Sequence, residues 1–238
     1  MPFVDKNFRG KKILPARKEI FPEYHRFADM DTATIFAEKL LQIDALKLNT
    51  RQPFTWASGW KSPVYCDNRK ILSYPHIRDY VKSELANAVL ENFEDAAALA
   101  GVATAGIPHG ALAADLLRLP FVYVRNKPKG HGLENRIEGV LQPGQQVVVI
   151  EDLVSTGKSS LEAVQALRDA GAEVMGMCAL FTYGFPEAAE AFEKAGVTLV
   201  TLSNYDALTA LGQRMNLIPE QDMDSLKQWR LNPSAWGQ

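Results

Sequence analysis

Two carboxylates, followed closely by hydroxyl groups and a glycine, form the most chemically suggestive segment of this chain. From residue 147 the sequence reads Val-Val-Val-Ile-Glu-Asp-Leu-Val-Ser-Thr-Gly-Lys-Ser-Ser. Ionised carboxylates accept hydrogen bonds from the adjacent hydroxyls of a sugar. Unsatisfied N–H groups where a helix begins favour an anion. The segment therefore predicts a ribose 5-phosphate site, with Glu151 and Asp152 on the 2′- and 3′-hydroxyls and the following loop on the phosphate.

Two other interpretations of this segment are weaker. Gly157-Lys158-Ser159 looks like the end of a nucleoside-triphosphate loop, but that motif needs a glycine where Asp152 stands. Paired carboxylates would also repel a triphosphate. Alternatively, Asp152 or Ser155 simply caps a helix. Capping explains one of these residues, but it does not explain an acidic pair at the end of an apolar strand.

A long basic connection, residues 125–139, is the second candidate. It reads Arg-Asn-Lys-Pro-Lys-Gly-His-Gly-Leu-Glu-Asn-Arg-Ile-Glu-Gly. Connections longer than about 12–15 residues are uncommon and are often functional. Arg125, Lys127, Lys129 and His131 are suited to surround a pyrophosphate. A solvated surface loop is the plain alternative, but its place after a predicted strand, beside the phosphate segment, favours a role in binding.

An aromatic, turn-rich stretch is the third candidate. Residues 54–67 read Phe-Thr-Trp-Ala-Ser-Gly-Trp-Lys-Ser-Pro-Val-Tyr-Cys-Asp. A flat heterocycle is bound by aromatic faces and a few placed donors. The aromatic faces are those of Phe54, Trp56, Trp60 and Tyr65, and donors or a close backbone approach come from Ser58, Gly59 and Ser62. Some of the aromatic residues, taken singly, are equally explained as core packing.

The elements that must position these segments alternate along the chain. Helical periodicity predicts a helix over 32–48 and a second over 76–93. Apolar strands are then predicted at 96–103, 121–124, 147–150, 173–181 and 197–202, with helices at 107–117, 157–170 and 186–195 between them and two helical segments at the end. This order predicts an α/β fold with a parallel twisted sheet flanked by helices, and ligands at the carboxyl ends of its strands.

Composition narrows the classes of protein further. The net charge of −2 gives no overall basic field, so nucleic acid is not an expected partner. Two distant cysteines favour reduced thiols in a cytoplasmic protein over a disulfide framework. No apolar run approaches the ~18 residues of a membrane span. We expect an N-terminal extension over 1–31 and a catalytic domain over 32–238, which includes a small hood over 50–70 that covers the base site.

The phosphate segment resembles the phosphoribosyl pyrophosphate (PRPP) binding motif of type I phosphoribosyltransferases. The run Arg-x-x-x-Lys-x-His-Gly from residue 125 resembles the catalytic loop of orotate phosphoribosyltransferases, and the segment over 54–67 resembles the part that covers orotate in that family. The resemblance implies transfer of a 5-phosphoribosyl group from PRPP to orotate, with Mg²⁺ held through PRPP rather than by protein ligands, and a homodimer whose loop reaches the partner's site. It implies the catalytic residues Lys129 and His131, orotate contacts at Ser155, Phe54, Ser58 and Gly59, and PRPP contacts at Arg125, Lys129, His131, Glu151, Asp152, Leu153, Val154, Ser155, Thr156, Gly157, Lys158 and Ser159.

The chain departs from some members of that family at single positions. Ala57, Ala105 and Asn126 stand where some members carry lysine, and Thr182-Tyr183-Gly184 stands where some supply an arginine. The partner of the orotate carboxylate is therefore left open. Two other functions are also left open: a phosphoribosyltransferase for another base, and a PRPP-sensing regulator without catalysis. Comparing the turnover of orotate with that of uracil and purines tests the first alternative, and a salt-dependent nucleic-acid binding assay tests the second.

Overall fold

A six-stranded sheet forms the centre of the computed structural model, which describes residues 30–56, 58–126 and 136–236. Its strands are β5 (Ala98–Val102), β6 (Phe121–Val124), β7 (Ile137–Glu138), β8 (Gln146–Val154), β9 (Glu173–Thr182) and β10 (Leu199–Asn204). They lie in the order β10-β9-β8-β5-β6-β7, and every pair is parallel except β6 with β7. The predicted parallel α/β sheet is confirmed, with one short antiparallel strand at its edge.

Helices connect and cover these strands. In chain order they are α1 (Thr32–Gln42), α2 (Pro75–Asn92), α3 (Gly106–Leu117), α4 (Lys158–Asp169), α5 (Pro186–Lys194), α6 (Tyr205–Arg214) and α7 (Met223–Leu231), with 3-10 helices at Asn68–Ser73 and Glu220–Asp222. Residues 147–150 of β8 are fully buried, as expected for a central strand covered on both faces. Along the described parts of the chain, no helix combines the length and apolar character that crossing a membrane requires.

The strand order places a switch point between β5 and β8. The chain passes from β5 to β6 on one side and later returns to β8 on the other side of β5. In open parallel sheets, ligands bind in the crevice at the carboxyl ends of the strands where the order reverses. The segments after β5 and β8 are therefore neighbours at the favoured place for a ligand.

Two small antiparallel sheets precede the main sheet in the chain. β1 (Leu46–Leu48) pairs with β4 (Val64–Cys66), and β2 (Phe54–Thr55) pairs with β3 (Lys61–Ser62). The β2–β3 hairpin is closed by hydrogen bonds from the Trp56 N–H to the Trp60 carbonyl and from the Gly59 N–H to the Trp56 carbonyl, both 2.9 Å long. Of these strands, β2, β3 and β4 lie within the segment over 50–70 that the sequence predicts as a hood, and β1 precedes it.

The structure corrects two predicted boundaries. The first helix was expected to run to Leu48, but it ends at Gln42, because Asp44 adopts a left-handed conformation with φ of 55° and the chain enters β1. The strand expected over Val147–Ile150 continues to Val154. Glu151, Asp152, Leu153 and Val154 therefore belong to the strand rather than to the loop. The boundary at residue 31 stays a prediction, since residues 1–29 lie outside the described part of the chain.

Candidate functional site

The segment predicted to bind phosphate lies at an exposed strand end followed by an open helix start. β5 pairs with β8 only as far as Ile150, so the last residues of β8 project beyond that neighbour. Gly157 then adopts a left-handed conformation with φ of 79°, and α4 begins at Lys158 without a side-chain cap hydrogen bond. Neither Asp152 nor Ser155 caps the helix. Its first N–H groups are consequently available to an anion.

The acidic pair at the end of β8 is held from within the protein. Glu151 is 5% exposed, and its carboxylate accepts hydrogen bonds from the Asp152 N–H and the Ser160 hydroxyl, each 3.0 Å long. Burial, and then the neighbouring charge of Asp152, raise the pKa of Glu151 well above its usual value. Burial also raises the pKa of the Asp152 carboxyl. Both acids would ionise more readily beside a positive charge.

A cavity of about 260 Å³ adjoins the phosphate segment. Leu153 and Ser155 line it from the end of β8, and Tyr183 lines it from just beyond the end of β9. The hood supplies the remaining lining residues: Thr55, Trp56, Tyr65 and Cys66. The cavity therefore shares Ser155 with the predicted phosphate loop and has aromatic walls, which suits a flat ring placed next to a sugar phosphate.

Aromatic packing fixes the hood wall of this cavity. The Trp56 and Tyr183 rings lie 4.9 Å apart, and Phe185 stacks on Tyr183 with its ring centre 5.5 Å away. Trp229 of α7 packs edge-on against Tyr183 at 5.6 Å and donates a 3.1 Å hydrogen bond to the Lys61 carbonyl. Residues from the hood, the end of β9 and the last helix thus hold the cavity in one shape.

The predicted base-binding residues are only partly brought together. Ser155 lines the cavity. Phe54 instead packs against Tyr65, with ring centres 5.7 Å apart, and faces a second cavity beside α1. Ser58 and Gly59 form the exposed tip of the β2–β3 hairpin, where the Ser58 hydroxyl accepts a 3.4 Å hydrogen bond from the Trp60 N–H. Contact of these three residues with orotate stays a prediction.

The basic connection is described only at its two ends. Lys129 and His131 lie outside the described residues. Arg125 follows β6, its N–H donates a 2.7 Å hydrogen bond to the Arg136 carbonyl, and its guanidinium lies 3.4 Å from the Glu138 carboxylate. The Arg136 side chain donates in return to the Arg125 carbonyl at 3.1 Å. These contacts join the two ends of the connection beside the carboxyl end of β6.

The start of α3, just after the β5–α3 loop, approaches strand β8 very closely. A Cβ atom on Gly106 would lie 2.5 Å from the Ile150 carbonyl oxygen, so only glycine fits there. The Ala103–Thr104 peptide bond is cis. Thr104 is exposed and Ala105 is partly buried at this edge of the sheet. The loop thus faces the same crevice as the end of β8.

Comparison with known proteins identifies the family. A phosphoribosyl transferase domain model matches residues 70–200. The orotate phosphoribosyltransferase of Bacteroides thetaiotaomicron is 60% identical over 202 residues, which cover 85% of this chain and 95% of that protein. That of Porphyromonas gingivalis is 56% identical over 203 residues, covering 85% and 97%. This chain belongs to the orotate phosphoribosyltransferase family. The crystal structure of the Aeropyrum pernix orotate phosphoribosyltransferase is 31% identical, with a TM-score of 0.64, and the match covers 77% of this chain and 99% of that chain.

The resemblance to the orotate phosphoribosyltransferase family implies Mg²⁺ held through PRPP, which raises the question of whether side chains of this protein could also hold a metal ion. Within the described ranges, no group of three or more histidine, cysteine or acidic side chains is arranged to hold a metal ion. The acids at the end of β8 are Glu151 and Asp152, and both Glu151 oxygens already accept hydrogen bonds. This donor set fits a metal that arrives with a phosphate ligand better than one held by protein side chains alone.

Three residues of the orotate phosphoribosyltransferase cavity were not assigned a role from the sequence: Thr55, Cys66 and Tyr183. Cys66 ends β4, two residues after the buried Val64, and this partly buried residue lines the cavity. Burial, and then the Asp152 charge, raise the pKa of this thiol. Tyr183 is 2% exposed, and burial likewise raises its pKa well above the usual value. Its place immediately after a predicted parallel strand was the signal that could have identified it.

Proposed function

We propose that this chain transfers the 5-phosphoribosyl group of PRPP to N1 of orotate, giving orotidine 5′-phosphate and pyrophosphate. The observation that carries the proposal is the cavity of about 260 Å³ that shares Ser155 with the loop leading into α4. A ring in this cavity lies next to a sugar whose phosphate is bound by the loop. Cavities for larger, drug-sized ligands are typically about 300–1,000 Å³, so the size suits a single-ring base.

The acidic pair stabilises the sugar as the bond to pyrophosphate breaks. Asp152 and Glu151 accept hydrogen bonds from the ribose hydroxyls, and their negative charge offsets the positive charge that develops on the ring. Their raised pKa values reflect a site that disfavours uncompensated negative charge. A cation-like ribose supplies the missing compensation, so the acids bind the transition state better than the ground state.

The phosphate end of the substrate is held by main-chain and hydroxyl donors. Residues Leu153 to Ser159 surround the 5′-phosphate, with Gly157 allowing the close approach and the first N–H groups of α4 directed at the phosphate oxygens. Ser155 lies at the junction of loop and cavity, where it contacts orotate as well. Tyr183 is our candidate for a hydrogen-bond donor to the base, because its ring forms the opposite wall.

Pyrophosphate departs toward the basic connection. Arg125 lies at the start of that connection, next to the carboxyl end of β6. We propose that Lys129 and His131 neutralise the charge gained by the leaving group, as the resemblance to the family's catalytic loop implies. Mg²⁺ held through PRPP would supply further charge neutralisation on the pyrophosphate.

The direct test follows the loss of orotate absorbance with PRPP and Mg²⁺. We expect orotate to be consumed, and uracil and purines to be left unchanged. Lys129→Ala is expected to lower kcat by about tenfold or more while reducing PRPP binding less. Lys227→Ala serves as the matched control, because Lys227 is an exposed lysine paired with Asp224 on α7. Normal turnover in Lys129→Ala would remove the basic connection from the mechanism, and preference for another base would overturn the orotate assignment.

We further propose a cytoplasmic homodimer in which the basic connection of each subunit serves the partner's site. Mixing experiments test this arrangement. Lys129→Ala and Asp152→Asn homodimers are each expected to be nearly inactive, whereas a mixture that exchanges subunits should regain part of the activity. If activity does not return although mass spectrometry shows mixed dimers, each site is complete within one subunit.

A further inference from the structure

We propose that Asn68 is a positioning residue that fixes the hood to the acidic end of β8 without touching either substrate. The inference rests on the proposed transfer reaction, since it concerns the alignment of base and ribose. Asn68 opens the 3-10 helix that follows the hood strand β4, and it is 1% exposed. A polar side chain so deeply buried is expected to have its hydrogen-bonding groups satisfied.

Both ends of the Asn68 amide are used. Its Nδ2 donates a 2.6 Å hydrogen bond to the main-chain carbonyl of Asp152, which is 84 residues away in the sequence. Its Oδ1 accepts a hydrogen bond of 3.4 Å from the Cys66 thiol. One side chain thus connects a cavity-lining residue of the hood with a residue of the acidic pair.

The Asp152 carbonyl needs such a donor because of the strand arrangement. β8 pairs with β5 only up to Ile150, where Gly101 is its partner. Beyond that point β8 retains only β9 as a neighbouring strand. Asn68 supplies a donor where strand pairing with β5 has ended, and it thereby fixes the backbone from which the Asp152 carboxylate projects.

His109 supports Asn68 from the other side. It lies on α3, which follows the loop after β5, and it is 2% exposed. Its ring lies close to the Asn68 main chain, and burial lowers the pKa of His109 to about 4, so the ring is neutral at neutral pH. The Nε2 atom of this ring is buried without a partner within the described residues. The hood, α3 and the end of β8 therefore meet at Asn68.

The consequence for catalysis is alignment of two substrates that bind to different elements. The base lies against the hood, and the ribose lies against the end of β8. Reaction requires the attacking nitrogen and the anomeric carbon to be held at a short distance, and small displacements reduce the rate strongly. Without Asn68 the hood and β8 would still fold, but their relative position would be less well defined.

The experiment compares Asn68→Ala with Asn92→Ala in the full-length chain. Asn92 also donates through Nδ2 to a main-chain carbonyl, that of Ala88 at 2.8 Å, but it lies at the end of α2, away from the crevice. Both variants lose the same kind of hydrogen bond. We expect Asn68→Ala to lower kcat by about tenfold or more at saturating substrates, and Asn92→Ala to leave kcat within about twofold of wild type.

A second variant separates positioning from general support. Asn68→Asp keeps the shape and the oxygen near Cys66 but replaces the donor, and that donor returns only when the new carboxyl is protonated. Its titratable neighbours are Cys66, Asp67, Asp152 and His109. We expect the ratio of variant to wild-type kcat to rise as the pH falls from roughly 8 to roughly 6.

The outcomes distinguish this inference from the proposed function. If the wild-type protein does not convert orotate and PRPP, the proposed function fails. If wild type is active but Asn68→Ala retains kcat within about twofold of Asn92→Ala, measured well below both unfolding midpoints, the positioning role is overturned. A ratio of kcat values for Asn68→Asp that does not change with pH would also contradict it.

Discussion

Replacing Gly157 by alanine tests the geometry of the phosphate loop through the stability of the protein. Gly157 has φ of 79°, and a Cβ atom there would lie 2.8 Å from Cε2 and 3.2 Å from Cδ2 of Phe192. The left-handed conformation costs a residue with a Cβ about 1–2 kcal/mol. Overpacking against a buried ring adds about 1–3 kcal/mol. We therefore expect Gly157→Ala to lower the free energy of unfolding by about 2–5 kcal/mol.

Gly144→Ala provides a control for the backbone contribution. Gly144 has φ of 75°, but nothing lies within 4 Å of the Cβ atom that alanine would add. This variant should therefore lose only the conformational part, about 1–2 kcal/mol. Urea unfolding of both variants, with equal m-values, measures the difference.

The difference in unfolding free energy between the two variants tests the close packing of Gly157 against Phe192. Phe192 is 3% exposed on α5 and has little space to move away. Gly157→Ala should also weaken PRPP binding, because the added methyl group lies at the start of α4, whereas Gly144→Ala should leave PRPP binding unchanged. Equal destabilisation in the two variants would refute the contact between this loop and α5.

Three further changes probe the site. The glutamine in Glu151→Gln cannot ionise. Because the raised pKa of Glu151 gives wild type stability that is present at low pH and lost as the pH rises, the free energy of unfolding of wild type minus that of the variant should fall as the pH rises above the usual pKa of glutamate. A difference that stays constant with pH in urea titrations would contradict the raised pKa. Tyr183→Phe keeps the ring packing but removes the hydroxyl, so thermal unfolding should change little while KM for orotate rises severalfold; an unchanged KM would exclude the hydroxyl from base binding. Trp229→Ala leaves a cavity at a fully buried position, so chemical denaturation should show a free energy of unfolding lower by about 3–5 kcal/mol. The variant should also lose affinity for orotate, and retained orotate affinity would show that the hood does not depend on α7.

The regular part of the fold follows from local sequence patterns. Apart from the short edge strand β7, which falls within the segment interpreted as the basic connection, the strands and helices from residue 98 onward were predicted in the right order, because continuous apolar runs and helical periodicity are strong signals. The end of β8 was missed because Glu151 and Asp152 are poor strand formers. Pairing with β9, which continues to Thr182 opposite Val154, overrides that preference. Propensity alone does not include such a neighbour.

The phosphate segment was predictable, whereas the base cavity was predictable only in part. The residues of the phosphate segment are contiguous, so the chemistry of the segment can be inferred from adjacent positions in the sequence. The latter combines hood residues with Tyr183, and Trp229 holds the hood from 168 residues away through its hydrogen bond to the Lys61 carbonyl. Phe54 was expected in the cavity, yet the structure places it beside another cavity. The register of the β2–β3 hairpin decides which face each side chain occupies, and the geometry of the turn that closes the hairpin sets this register.

The most direct test is a crystal structure of the protein soaked with ribose 5-phosphate. The phosphorus is expected within hydrogen-bonding reach of the main-chain amides between Ser155 and Ser159, with the ribose hydroxyls directed at Asp152 and the anomeric carbon facing the cavity lined by Tyr183. Sugar density at any other place, or an Asp152 carboxylate turned to bulk solvent beside the bound sugar, would contradict the account.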